Sequence, residues 1–195
     1  MRGRLIALEG GEACGKSTQA AILAEALGAV LTREPGGTYA GERIRALVLD
    51  PGAPPLEPRA EALLMAAARA QHVAEVVRPA LDAGRDVVCD RFAHSSIAYQ
   101  GYGRCLPLSE VVELSAWATE GLWPDVVVLL EVPEEVTSAR RGPPDRFETE
   151  DEGFHQRVRS GYRALAAADP ARWRVVDGSG TVEEVAARVQ EAVGR

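Results

Sequence analysis

Short continuous apolar runs alternate along the chain with longer stretches in which apolar residues recur every three or four positions. Leu5–Leu8 is an uninterrupted apolar run closed by Glu9 and Gly10-Gly11, which predicts a buried strand. Residues 16–27 carry Ala and Leu at helical spacing, opening on Ser17-Thr18 and stopping at Gly28. Ala29–Leu31 reads as a second strand and Thr32–Gly37 as turn chemistry. Gly41–Leu49 predicts a helix, Pro51–Pro58 a loop, and Arg59–Ala83 a long helix bent near Pro79. Asp86–Cys89 is a third strand, tipped by Asp90-Arg91. Helical stretches follow around 93–102 and 108–121, then the most strand-like run, Val126–Val132. Glu134–Arg140 reads as helix, Arg141–Asp151 as a charged loop, Glu152–Ala168 as helix, Trp173–Val176 as strand and Val182–Val193 as helix.

Five strands alternating with helices predict an α/β fold. Its sheet is mostly parallel, with helices on both faces and ligands beyond the carboxyl ends of the strands. At 195 residues with no internal repeat, the chain reads as a single domain, 1–195. The net charge of −7 argues against broad binding to nucleic acid or an anionic membrane, which want a basic face. No apolar run approaches a membrane span, and the one at the N-terminus is too short for a signal peptide. Cys14, Cys89 and Cys105 show no metal-ligand spacing and suit a reducing, cytoplasmic compartment.

Charge type then sharpens the picture. Of 22 basic residues only Lys16 is lysine, and the chain has no asparagine. Lys16 sits in Gly10-Gly11-Glu12-Ala13-Cys14-Gly15-Lys16-Ser17, which fits G-x-x-x-x-G-K-[ST] between a predicted strand and a predicted helix. The glycines let successive N–H groups curl around a polyphosphate, and the helix N-terminus adds positive potential. A compact ammonium fits that cradle where a planar guanidinium does not. The Ser17 hydroxyl is a candidate Mg²⁺ ligand, with Thr18 beside it. Cys14 reads as a small residue suited to a tight loop. Without asparagine or a second lysine, the Asn-Lys-x-Asp guanine-reading element of GTPases is excluded.

The segment Asp90-Arg91-Phe92-Ala93-His94-Ser95-Ser96-Ile97-Ala98-Tyr99-Gln100 resembles the signature of thymidylate (dTMP) kinases. Four further segments match in order: Glu9-Gly10-Gly11-Glu12, Thr32–Thr38, Pro124-Asp125 and Asp145-Arg146-Phe147-Glu148. The resemblance spans nearly the whole chain. It implies a P-loop kinase with a short lid over about 141–151 that makes dTDP from dTMP with Mg-ATP, as a homodimer. Asp90 would hold Mg²⁺, and Arg91 would bind the acceptor phosphate and the moving phosphoryl group. Glu12 would contact the sugar 3′-hydroxyl. Ala13 stands where some members place an arginine, which implies the lid-arginine type and makes Arg140, Arg141 and Arg146 candidates for the transferred phosphate. Arg140 and Arg141 also suit a helix C-terminus on dipole grounds alone.

On the substrate side, Met65, Arg69 and His72 share a helical stripe. The resemblance assigns Arg69 to thymine O4, which excludes the cytosine amino group, and Met65 to the place of a ring-stacking Phe. It sets Ser96 and Gln100 near the base, Tyr99 against the 2′ side and Arg33 near the acceptor phosphate. His72 reads as structural, and Tyr99 has an alternative as a packing ring. Two rival readings are a dUMP or UMP kinase and a non-catalytic nucleotide switch.

Overall fold

The structure is a computed structural model that describes residues 2–133 and 145–194. Its strands are β1 (Leu5–Gly10), β2 (Val30–Arg33), β3 (Val87–Asp90), β4 (Val126–Glu131) and β5 (Trp173–Asp177). They form one sheet in the order β2-β3-β1-β4-β5. Each neighbouring pair is parallel, so the sheet is parallel throughout. Parallel neighbours need crossover connections, and helices supply them. These are α1 (Lys16–Leu27), α2 (Tyr39–Leu49), α3 (Pro58–His72), α4 (Arg78–Asp82), α5 (Ala93–Ser96), α6 (Leu108–Thr119), α7 (Glu152–Ala168) and α8 (Val182–Ala192).

The strands send alternate residues to opposite faces. Ile6, Leu8, Val88, Val128, Leu130 and Val176 pack with Leu23 of α1 and with Val185 and Val189 of α8. Leu5, Ala7, Val87 and Cys89 join Val73, Val77 and Leu81 on the other face. There Val127, Leu129 and Trp173 meet Phe154, Val158 and Tyr162. Burial on both faces explains why the strands read as continuous apolar runs.

The long helix predicted over 59–83 is present, but its irregularity precedes Pro79. A π-helical turn, Val73–Val77, lets the Arg78 N–H donate to the Val73 carbonyl. The proline ring would otherwise press on the carbonyl four residues earlier, and the widened turn relieves that crowding. A second π-helical segment, Ile97–Gly103, continues α5 and carries Tyr99 and Gln100. Strands β2 and β3 reach further than predicted, to Arg33 and Asp90, and these two residues pair in register at the carboxyl edge of the sheet. The predicted helix Glu134–Arg140 and the start of the charged loop lie outside the described residues. No helix among the described residues is long and apolar enough to cross a membrane.

Candidate active site

Strand β1 leaves the sheet through Gly10, whose φ is +146°. A Cβ there would stand 2.6 Å from the Leu130 carbonyl oxygen, so no other residue fits. Gly15 caps α1 with φ +92°, and a Cβ there would meet nothing within 4 Å. No side chain caps α1, so its first N–H groups are free to receive an anion. Lys16 is buried beside them; its Nζ donates to the Gly11 carbonyl and lies 3.4 Å from Cys14 Sγ. Cys14 packs into the core beneath the loop, as a small filling residue should.

The loop walls a cavity of about 870 Å³ at the carboxyl edge of β1, β2 and β3. Glu12, Ala13, Cys14, Gly15, Lys16, Ser17, Thr18, Arg33, Met65, Arg69, Asp90, Arg91, Ser96, Tyr99 and Gln100 all line it, although they come from four separate stretches of sequence.

Ser17 Oγ donates to Asp90 Oδ2 at 2.5 Å, while Asp90 Oδ1 is buried without a partner. An unsatisfied carboxylate oxygen beside a hydroxyl, next to a phosphate cradle, fits a hard divalent cation such as Mg²⁺.

Arg91 stands at the tip of β3 with φ +68°, a conformation few side-chain-bearing residues adopt. Its Nη2 donates to Glu12 Oε1 at 2.8 Å and to the Tyr99 hydroxyl at 3.2 Å. Its Nη1 donates to the Gly10 carbonyl at 3.0 Å and to the Tyr162 hydroxyl at 3.1 Å. The Tyr99 hydroxyl donates in turn to Glu12 Oε1. Burial opposes the charge on Glu12, but Arg91 and Lys16 outweigh it and hold the carboxyl down at about 2. Behind them Glu9 is fully buried and accepts from the Phe92 N–H at 2.9 Å, Ser95 Oγ at 2.6 Å and the Tyr162 hydroxyl at 3.0 Å. Burial pushes its pKa up despite these bonds.

Helix α3 presents a stripe of buried residues: Glu61, Met65, Arg69 and His72. Arg69 Nε donates to Glu34 Oε2 at 2.7 Å and Nη2 to Ser96 Oγ at 3.0 Å. Its Nη1 is buried without a partner. His72 bridges Thr32 Oγ1 at 2.6 Å and Glu34 Oε1 at 2.9 Å, so it holds Glu34 and through it Arg69. Gln100 Nε2 donates to Glu61 Oε1 at 2.9 Å. Met65 lines the cavity and packs in a core cluster with Tyr99 and Phe147.

Arg146 is placed differently from the expectation. It is buried and does not line the cavity; its Nη2 donates to Glu61 Oε2 at 2.9 Å. Glu61 has no exposed surface, and a carboxylate so buried needs cations, here Arg146 and Arg104. In this structure that need, not a phosphate, positions Arg146. Arg140 and Arg141 lie outside the described residues. Arg33 is paired with both oxygens of Glu42 at 3.0 Å.

Sequence reasoning missed several contributors. Arg45 lines the cavity and donates to the Pro35 carbonyl at 2.9 Å. Glu34, Ser95 and Tyr162 each hold a cavity arginine. Glu34 and Ser95 lie inside the matched segments, so their signal was present; Tyr162 had none, being distant in sequence.

A parallel sheet bearing a glycine-rich loop, a buried lysine and a strand-tip Asp-Arg over one large cleft defines a P-loop phosphotransferase. The comparisons place it within that class. The family model for thymidylate kinase matches residues 8–189. A thymidylate kinase of Leifsonia xyli is 53% identical over 197 residues, covering 96% of this chain and 93% of that protein. One from Cutibacterium acnes is 46% identical and covers 99% and 97%. The crystal structure of thymidylate kinase from Ehrlichia chaffeensis superposes with a TM-score of 0.84 at 30% identity, covering 99% of this chain and 100% of that one. The chain belongs to the thymidylate kinase family.

Proposed function

We propose that this chain transfers the γ-phosphoryl group of Mg-ATP to the 5′-phosphate of dTMP, giving dTDP and ADP. The observation that carries the reading is the meeting of two halves in one cavity. At one end are the phosphate loop, Lys16 and the Ser17–Asp90 pair; at the other is the unpartnered, buried Nη1 of Arg69.

An acceptor phosphate with its second pKa near 6 is largely ionised at neutral pH and needs no strong base. The residues therefore act by position and charge. The backbone of residues 10–16 and Lys16 hold the β- and γ-phosphates. Ser17 and Asp90 would hold Mg²⁺, which when bound supplies charge neutralisation on the phosphate oxygens. Arg91 sits between the two phosphate positions and draws them together, while Arg33 holds the acceptor from the far side. Glu12 orients the sugar through the 3′-hydroxyl, and the Tyr99 ring closes the 2′ side. Arg69, Ser96 and Gln100 address the base edge, and Met65 lies against its face. Arg140 and Arg141 remain the lid candidates, because Ala13 leaves the loop without an arginine. We further propose a single kinase domain over 1–195 with a lid near 141–151, acting in the cytoplasm as a homodimer. The exposed Leu63 of α3 and Leu108 and Trp117 of α6 are consistent with a partner.

The test is kcat/KM by coupled ADP release across dTMP, dUMP, UMP and dCMP. The reading expects dTMP to lead. Preference for UMP, or nucleotide binding without turnover, would give the site to a different kinase or to a switch.

A further inference from the structure

The amide of Gln100 is ambiguous in itself, since its two ends differ only in donating or accepting. Its surroundings remove the ambiguity. Glu61 Oε1 takes the Gln100 Nε2 donor at 2.9 Å and Arg104 Nε at 3.2 Å. Glu61 Oε2 takes Arg104 Nη2 at 3.1 Å and Arg146 Nη2 at 2.9 Å. A carboxylate facing two guanidiniums offers acceptors and no donor, so the nitrogen of Gln100 must face it. The amide oxygen is thereby turned the other way. Among the described residues no donor reaches it, and Gln100 lines the cavity.

Two turns along the same stripe of α3 from Glu61, Arg69 leaves a donor, Nη1, with no partner. The cavity therefore presents a donor from Arg69 and an acceptor from Gln100. We propose that Glu61, locked by Arg104 and Arg146, is a positioning residue that fixes the polarity of Gln100, so that the pair reads the 4-carbonyl and N3–H of a pyrimidine base. The inference rests on the dTMP reading above and adds how the second of the two base contacts is enforced. Thymine and uracil present an acceptor at O4 and a donor at N3, which match. Cytosine presents a donor amino group and an acceptor N3, which mismatch at both positions. Arg146 then contributes to substrate choice through Glu61 without touching any phosphate.

Glu61→Gln tests this. The new amide keeps its carbonyl at the Oε2 position, where both guanidiniums donate, so its nitrogen takes the Oε1 position, gives up the Arg104 Nε bond and faces Gln100, which turns that amide over. The ratio of kcat/KM for dTMP over dCMP should fall by about 5- to 150-fold, the cost of stranding one buried polar group. The ratio for dTMP over dUMP should stay constant, because these bases share the edge being read. General damage to the fold would lower all three together. Should Glu61→Gln melt below the assay temperature, Glu61→Asp retains the charge opposite the arginines and withdraws the carboxylate from Gln100; it should lower the same ratio. A folded variant of either kind that keeps the full dTMP over dCMP preference overturns the inference. Wild-type enzyme with no such preference would instead overturn the dTMP reading itself.

Discussion

Tyr99→Phe isolates what holds Glu12 in place. The ring of Tyr99 packs edge-on against Phe147, Phe154 and Tyr162 at centroid distances of 5.6, 6.1 and 6.3 Å. Phenylalanine keeps those contacts and any wall the ring makes on the 2′ side. What disappears is the hydroxyl, which donates to Glu12 Oε1 and accepts from Arg91 Nη2 at 3.2 Å. Glu12 is ionised at neutral pH, with its pKa at about 2, so the lost bond is charge-assisted and worth about 1.5–3 kcal/mol. Glu12 then keeps its link to Arg91 but loses its second restraint. If that carboxylate orients the acceptor through the sugar 3′-hydroxyl, kcat/KM for dTMP should fall about 10- to 150-fold, since 1.4 kcal/mol is a factor of ten. The assay compares dTMP with its 3′-deoxy analogue in both enzymes. Wild type should favour dTMP strongly, and the variant should close most of that gap while its KM for ATP stays constant. An equal fall on both nucleotides would refute the reasoning and leave the hydroxyl a packing device.

Lys16→Arg keeps the charge but not the compact ammonium that fits beside the Gly11 carbonyl, so kcat should drop by at least roughly 10²-fold; near-normal turnover would exclude Lys16 from the phosphates. Arg146→Ala removes one of two cations on buried Glu61, which should lower stability by about 1.5–3 kcal/mol and Tm by roughly 3–12 °C, while kcat on dTMP falls little; a large kcat loss with Tm unchanged would return Arg146 to the phosphates. His94 packs between Trp123 and Trp173, and burial, aided by Arg69 and Arg172, lowers its pKa from 6.5 to about 4. The unfolded chain therefore binds the proton first as pH falls, so stability is full above about 6.5 and declines by roughly 3 kcal/mol toward pH 4. His94→Phe should flatten that decline in urea midpoints, and an unchanged slope would show that His94 is protonated in the folded state.

The parts of the site that sequence made legible were those whose chemistry is local. The phosphate loop is eight consecutive residues between a strand and a helix, and two of its glycines, Gly10 and Gly15, sit at positive φ. Asp90 and Arg91 were legible because a strand end fixes where they point. Helical period put Met65 and Arg69 on one stripe, and the family resemblance assigned that stripe to the base. The placement of Arg146 was not legible because what positions it is Glu61, 85 residues away, whose burial no local pattern reveals. The same holds for Tyr162, which reaches Glu9 from a helix 153 residues on. Pro79 pointed to a bend, but the relief came as a π-helical turn upstream, since the clash lies with a carbonyl before the ring. The π-helical segment carrying Tyr99 and Gln100 left no mark in the spacing of apolar residues at all.

The most direct measurement follows the phosphorus atom. Enzyme given ATP labelled at the γ-phosphate, Mg²⁺ and dTMP should place the label in the β-position of dTDP, one for each unlabelled ADP formed, and in no other product. Label released as inorganic phosphate, or passed to UMP in preference to dTMP, would contradict the assignment of this cavity to thymidylate phosphorylation.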